Sequence, residues 1–273
     1  MPDTSLLRFL AIHPACILVE IAEAKGSTPR DQGTVMLVAE EEIWGTIGGG
    51  QFEFMAIDNA RAMLKGGGSD TMDIPLGPEI GQCCGGRTRL SFKPVTETVA
   101  AELAHRAERE AQIDPAVFLF GAGHVGLALA KALAPLPMSV TVVETRAYAL
   151  DGLPREVTGR LVAMPEAAVA DIAAGGAAVI LTHDHALDFL IAREALGRAD
   201  LAYVGMIGSQ TKRATFASWL KREGADGGMI TKLTLPIGGD KVRDKRPAVI
   251  AAMVAAELLA VLSSPAAYRL RGG

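Results

Sequence analysis

The ten residues VFLFGAGHVG, Val117 to Gly126, run from an unbroken apolar stretch straight into a glycine-spaced turn. A run this apolar reads as a strand buried on both faces. Gly121, Gly123 and Gly126 take the GxGxxG positions between that strand and a following helix. In such a turn the first glycine permits a tight bend, the second lets a backbone approach a pyrophosphate, and the third allows close helix packing. The helix N-terminus meanwhile aims free N–H groups at an anion. His124 either faces that ligand or packs. Glu144 ends the next apolar run, near the offset of about 20 residues at which an acid bonds a ribose hydroxyl, and Arg146 offers a partner for a 2'-phosphate instead. Two readings stay open, nucleotide or other phosphate binding and a turn kept for packing alone. No hydride-transfer acid or base is evident, and a fold does not fix a chemistry.

Downstream, the order of patterns is strand, helix, strand. A helix is expected over Val125 to Ala134, a second strand over Val140 to Val143, and further strands at Ala177 to Leu181 and Leu201 to Ile207. Helical stretches near Ala186 to Gly197 and Lys212 to Glu223 separate them, and a last helix starts at Pro247. That alternation predicts a parallel sheet covered on both faces, which presents ligands at the carboxyl ends of its strands. Two loops fall there. In THDH, Thr182 to His185, the histidines His183 and His185 flank Asp184. They either hold a metal that still needs a third ligand or cap the next helix and line the crevice. In GMIGSQTKRA, Gly205 to Ala214, Ser209 precedes a helix whose first turn carries Lys212 and Arg213. Cations there oppose the helix dipole. Either an anion sits at that end and satisfies both, or the two side chains bend into solvent.

Upstream, residues 1–95 read as an α+β unit with a helix over Phe52 to Lys65 closed by Gly66, Gly67 and Gly68. A polar-faced helix over 96–114, capped by Thr96 and broken at Asp114 and Pro115, is expected to link it to a second domain over 115–273. Three stretches stand out. GSTPR, Gly26 to Arg30, sets Arg30 on a turn able to hold an acidic group. GTIGGGQFE, Gly45 to Glu53, bares the N–H groups of Gly48, Gly49 and Gly50 at a helix start and reads as an anion cradle or a sharp corner. GPEIGQCCGG, Gly77 to Gly86, sets Gln82, Cys83 and Cys84 among glycines. Neighbouring cysteines close a disulfide only as a strained ring and do not match zinc-ligand spacing. Two thiols then remain, able to ligate a soft metal or act as nucleophiles, or else to lie inert in a core.

The net charge of −4, with signs interleaved, argues against nucleic acid. The apolar stretch Val249 to Leu262 is interrupted by Glu257 and falls short of the roughly 20 residues that span a bilayer, so no membrane role is expected. Three cysteines and a start without an export pattern lead us to expect a cytoplasmic location.

Taken in order, GSTPR, GTIGGGQFE, GPEIGQCCGG, FGAGHVG, THDHALD, YVGMIGSQTKRA and PIGGDKVRDKRPAVIAA resemble the XdhC/CoxI family of xanthine dehydrogenase accessory proteins, with matches from about residue 18 to 260. The resemblance implies an amino-terminal XdhC/CoxI domain followed by a Rossmann-like domain. It also implies a chaperone that protects molybdopterin during sulfuration and inserts this molybdenum cofactor into xanthine dehydrogenase, rather than an enzyme. Cys83 and Cys84 become the expected metal ligands, and the glycines and cations named above the expected holders of the cofactor. A nucleotide such as NAD(P) is a further expected ligand of the Rossmann-like domain. The implied partners are the dehydrogenase apoenzyme, a cysteine desulfurase and a second copy of the chain in a dimer. The sequence departs from the family at Glu144-Thr145-Arg146, where relatives often carry Asp, a small residue or Pro, then Arg. The loop GGDKVRDKR, Gly238 to Arg246, is also more charged than the family pattern. An NAD(P)-dependent oxidoreductase, a sulfur-transfer protein with a persulfide on Cys84, and a ligand-free scaffold are the rival readings.

Overall fold

The computed structural model describes residues 4–78, 85–225 and 227–271. It divides into two compact units, Pro2–Arg109 and Glu110–Gly273. The first is built on five antiparallel strands: β1 (Ile17–Lys25), β2 (Val35–Val38), β3 (Ile43–Gly45), β4 (Thr71–Pro75) and β5 (Arg87–Pro94), in the order β3-β2-β1-β5-β4. Side chains alternate across a strand, so β1 feeds two cores. Ile17, Val19 and Ile21 pack with Phe52, Ala56 and Ala60 of helix α2 (Gly50–Leu64). Leu18, one residue out of step, packs on the other face with Leu6 and Phe9 of α1 (Thr4–Ile12) and Leu103 of α3 (Glu97–Ile113). The helix read as a connector therefore supplies part of the first unit's core, and Arg106 on it donates to the Gly33 carbonyl at 2.8 Å. The glycine run closes α2 in the expected way. Gly66 N–H donates to Met63 and Gly67 N–H to Ala62, with Gly66 at φ 84°, which satisfies carbonyls that a helix end otherwise leaves bare.

The second unit carries the parallel sheet expected of VFLF and the runs after it. Its strands are β6 (Ala116–Phe120), β7 (Ser139–Glu144), β8 (Thr158–Leu161), β9 (Ala177–Ile180), β10 (Tyr203–Met206) and β11 (Leu233–Thr234), ordered β11-β10-β9-β6-β7-β8. Every residue of β9 and β10 is buried, as strands covered on both faces require. Helices α4 (His124–Leu133) and α7 (Pro247–Leu262) cover one face, while α5 (His185–Gly197) and α6 (Gln210–Arg222) cover the other. The short α8 (Pro265–Leu270) follows α7. Because β6 pairs with both β7 and β9, the chain order reverses at the β6–β9 pair. In an open parallel sheet that reversal opens a crevice beyond the strand ends. Among the described residues no helix is long and apolar enough to cross a membrane.

Candidate functional site

In the first unit, three of the quoted stretches meet. A Cβ on Gly48 would lie 2.6 Å from Pro29 Cγ, so the GSTPR turn rests directly on the glycine corner. A Cβ on Gly86 would lie 2.3 Å from the Ser27 carbonyl and 2.7 Å from that of Lys25, so the chain after the thiol segment passes beneath the same turn. Leu76 N–H donates to Gly86 and Gly85 N–H donates to Leu76, which ties the residue after β4 to the residues before β5. Arg30 is exposed beside this corner. Gln82, Cys83 and Cys84 lie outside the described residues.

The corner already holds an anion. Glu53, in the first turn of α2, accepts at Oε2 from Ile47 N–H at 2.9 Å, from Gly49 N–H at 3.1 Å and from the Thr46 hydroxyl. The reading of GTIGGG as a cradle meets a carboxylate from its own helix, a group that glycine spacing alone does not bring into play. Its signal was an acid near a helix start, where the dipole and free N–H groups favour negative charge. Burial raises the Glu53 carboxyl, but the Thr46 hydroxyl and the N–H groups of Gly49, Ile47 and Gly48 outweigh it and hold it below its ordinary value of 4.5. A depressed folded pKa gives stability that is full above the unfolded value and fades as pH falls through the folded one. Glu53→Gln is therefore expected to cost the first unit about 1 kcal/mol near neutrality, with the difference from wild type shrinking below about pH 4.5. Urea unfolding followed by Trp44 emission in a Trp219→Phe background reads this. A difference that stays constant into acid would count against the assignment.

In the second unit, the fingerprint glycines separate into two kinds. Gly121 sits at φ 114°, and a Cβ there would lie 2.7 Å from the Leu181 carbonyl. A Cβ on Gly126 would lie 2.1 Å from the Gly121 carbonyl. Gly123, the N-cap of α4, has an ordinary φ of −73°, and a Cβ there would meet nothing within 4 Å. Packing thus explains two of the glycines and leaves Gly123 bare beside the helix N-terminus, with His124 exposed next to it.

Glu144 points into the fold rather than out to a ribose. Only 4% exposed, it accepts at Oε2 from Ala122 N–H (2.9 Å) and Arg146 Nη2 (2.9 Å). Its Oε1 accepts from Thr145 N–H (2.8 Å) and Arg146 Nε (3.1 Å). Burial pushes this carboxyl up, but the Arg146 guanidinium and the Ala122 and Thr145 N–H groups together hold it down at about 2. Both oxygens are spent on tying the glycine turn to the end of β7. Arg146, the proposed phosphate partner, is turned toward Glu144 with its guanidinium 5.7 Å from the Tyr148 ring. The notch lined by Gly121, Glu144, Thr145, Thr182 and His183 measures about 10 Å³, room for roughly one water.

The other two loops are also turned inward. Asp184 caps α5 by accepting from Ala186 N–H (2.8 Å) and Leu187 N–H (3.4 Å), while His183 and His185 are exposed. Among the described residues no group of three or more His, Cys, Asp or Glu is placed to hold a metal. Ser209 caps α6, accepting from Lys212 N–H at 3.3 Å. Lys212 neither awaits an anion nor enters solvent. It pairs with Asp188, which is fully buried, and donates to the Ile207 carbonyl at 2.9 Å. Asp188 in turn accepts from the Thr182 hydroxyl at 2.6 Å, so one buried ion pair joins the loops after β9 and β10. Arg213 donates to the carbonyls of Ile230 (2.8 Å) and Leu233 (2.9 Å), because a guanidinium with five donors suits a bend that leaves carbonyls bare. These two cations are structural ties, which corrects both alternatives drawn from their spacing.

Together these features define an α/β protein in which an antiparallel unit with a glycine corner precedes a doubly wound unit of dinucleotide-binding type. The model of the XdhC Rossmann domain matches residues 117–258, and that of the XdhC and CoxI family matches residues 10–75. The chain belongs to the XdhC and CoxI family. The uncharacterized protein YqeB of Escherichia coli K12 is 25% identical over 265 residues, which take in 89% of this chain and 43% of YqeB. The chain thus spans less than half the length of that relative. A crystal structure of a xanthine dehydrogenase from Bacillus halodurans aligns with a TM-score of 0.78 at 18% identity, covering 98% of this chain and 99% of that one. At that identity the likeness is one of fold.

Proposed function

We propose that this chain serves the maturation of xanthine dehydrogenase, holding the molybdenum cofactor while a cysteine desulfurase supplies its sulfur and then passing it to the apoenzyme. Family membership supports the maturation role. The observation that carries the cofactor reading is the meeting of GSTPR, GTIGGG and Gly85–Gly86 at one end of the first unit's sheet, on the glycines that directly follow Cys83 and Cys84.

The residues present fit an anionic pterin. Cβ atoms on Gly49 and Gly85 would meet nothing within 4 Å, so backbone there lies open, and Arg30 adds an exposed cation. When bound, the cofactor would bring a soft metal centre of the kind thiolates prefer. Arg30 would orient a phosphate, joined by the N–H groups of Ile47 and Gly49 only where the phosphate displaces Glu53 from them, and Cys83 or Cys84 would supply the thiolate. A carrier must bind tightly enough to shield its cargo yet loosely enough for the recipient's larger buried contact to win, so moderate affinity suits the role. The nicotinamide reading draws less from the geometry, since the Glu144 oxygens are already taken.

The test is to purify wild type, Cys83→Ala and Cys84→Ala from cells making molybdopterin, measure oxidised-pterin fluorescence per chain and compare melting curves. Pterin loading is expected to fall in at least one variant with melting unchanged. Unchanged loading in both removes the thiols from the mechanism.

A further inference from the structure

The N–H groups that the glycine corner bares are met from within by a single oxygen. Glu53 Oε2 accepts from Ile47 N–H, Gly49 N–H and the Thr46 hydroxyl, whose own oxygen accepts from Gly48 N–H at 3.1 Å. The other oxygen is left over. Among the described residues no donor reaches Glu53 Oε1, and that oxygen is not sealed from solvent.

The free oxygen is charged, oriented and reachable. Burial raises the carboxyl, but the donors on Oε2 outweigh it and hold it below 4.5, so Glu53 is ionised at neutral pH. Three bonds to its twin fix its direction before any ligand arrives, which spares a complex the entropy of ordering it. Beside it, a Cβ on Gly49 would meet nothing within 4 Å, and Gly50 is exposed. An acceptor presented in this way reads a donor. A phosphate oxygen meets like charge at Oε1 and finds the N–H groups of Ile47 and Gly49 taken, whereas an N–H group meets a fixed carboxylate and forms a charge-assisted bond. The exposed Arg30 lies against the same corner, its Cγ 3.8 Å from where a Cβ on Gly48 would stand. One corner thus offers a cation for an anionic group and, apart from it, an acceptor for a donor.

We infer that Glu53 is the specificity-determining residue of the glycine corner, its free Oε1 accepting from an amino or ring N–H group on the edge of a flat heterocyclic ligand. On the cofactor reading above, on which this role rests, the edge recognised is the amino-bearing side of the pterin ring, and Arg30 is left to the phosphate.

The test follows the binding of pterin and lumazine to the full chain by the fluorescence of each ring. The two differ at one ring carbon, which carries an amino group in pterin and a carbonyl oxygen in lumazine. Wild type is expected to hold pterin at least about tenfold more tightly, because lumazine sets an acceptor against the carboxylate. Glu53→Gln can still accept from the corner N–H groups but turns an amide donor toward the ligand, so the preference is expected to vanish or reverse. Arg30→Ala removes a cation and not the acceptor, and is expected to leave the preference unchanged. The wild-type comparison needs no variant and stays decisive even if Glu53→Gln folds poorly. Equal affinity of wild type for the two rings, a preference that survives Glu53→Gln, or one lost in Arg30→Ala would overturn the role of Glu53 alone. Wild type that binds neither ring saturably would overturn that role and also count against the cofactor reading, which the cysteine variants test separately.

Discussion

Lys212→Met is expected to cost the second unit about 3–5 kcal/mol. Asp188 is 0% exposed, and its carboxylate faces Lys212 Nζ from the first turn of the neighbouring helix. Removing the ammonium leaves a desolvated charge whose remaining support is Thr182, through its N–H at 3.1 Å and its hydroxyl at 2.6 Å. It also strips the Ile207 carbonyl of a donor. Neutralising both members, in Asp188→Asn/Lys212→Met, keeps acceptors for Thr182 and deletes the orphaned charge. Most of the loss should then return, because breaking half of a buried pair costs far more than replacing both halves. The two tryptophans make the measurement clean: Trp44 lies in the first unit, and Trp219 packs on Phe189 and Phe216 in the second. Denaturant unfolding read by Trp219 emission in a Trp44→Phe background isolates the effect. A loss under about 1 kcal/mol would mean that the pair is hydrated and cheap to break.

Gly126→Ala is expected to cost about 3 kcal/mol, the upper part of the range for overpacking, while Gly123→Ala is expected to change stability by no more than about 1 kcal/mol, because the chain entropy it removes offsets the poorer helix cap that alanine makes. The two glycines stand three residues apart in one motif, yet a Cβ at Gly126 falls 2.1 Å from a backbone carbonyl and one at Gly123 meets open space. The carbonyl belongs to Gly121, whose neighbour Ala122 is held by Glu144, so the turn cannot retreat without breaking that bond. Thermal or denaturant unfolding of both variants settles the contrast. A Gly123→Ala chain as unstable as Gly126→Ala would show that packing accounts for the whole motif, leaving no glycine for a ligand to explain.

The buried strands were legible because burial on both faces leaves an unbroken apolar run, as in VFLF of β6 and AAVI of β9. Strands β4, β5, β8 and β11 were not read. β4, β8 and β11 are sheet edges, TGRL of β8 has no fully buried residue to mark a face, and β5 buries Thr88, Leu90 and Phe92 in alternation with more exposed residues instead of forming an apolar run. Helix α1 was not read although its nine residues carry a helical period, because no motif or cap residue marked its bounds. At the candidate sites, glycine spacing identified the corners but not what fills them. Glu53 lies within its own motif and could have been weighed, whereas Lys212 and Asp188 are 24 positions apart on different helices, and no local pattern relates them. Glu144 was found at the right offset and assigned outward, because spacing places an acid at a strand end without saying which way it turns.

The carboxylate of Glu53 gives the glycine corner a built-in selectivity. Any visiting anion must displace a competitor tethered a few bonds away, whose effective concentration is on the order of millimolar. A guest whose hold on the corner is no stronger than that of this carboxylate would not displace it.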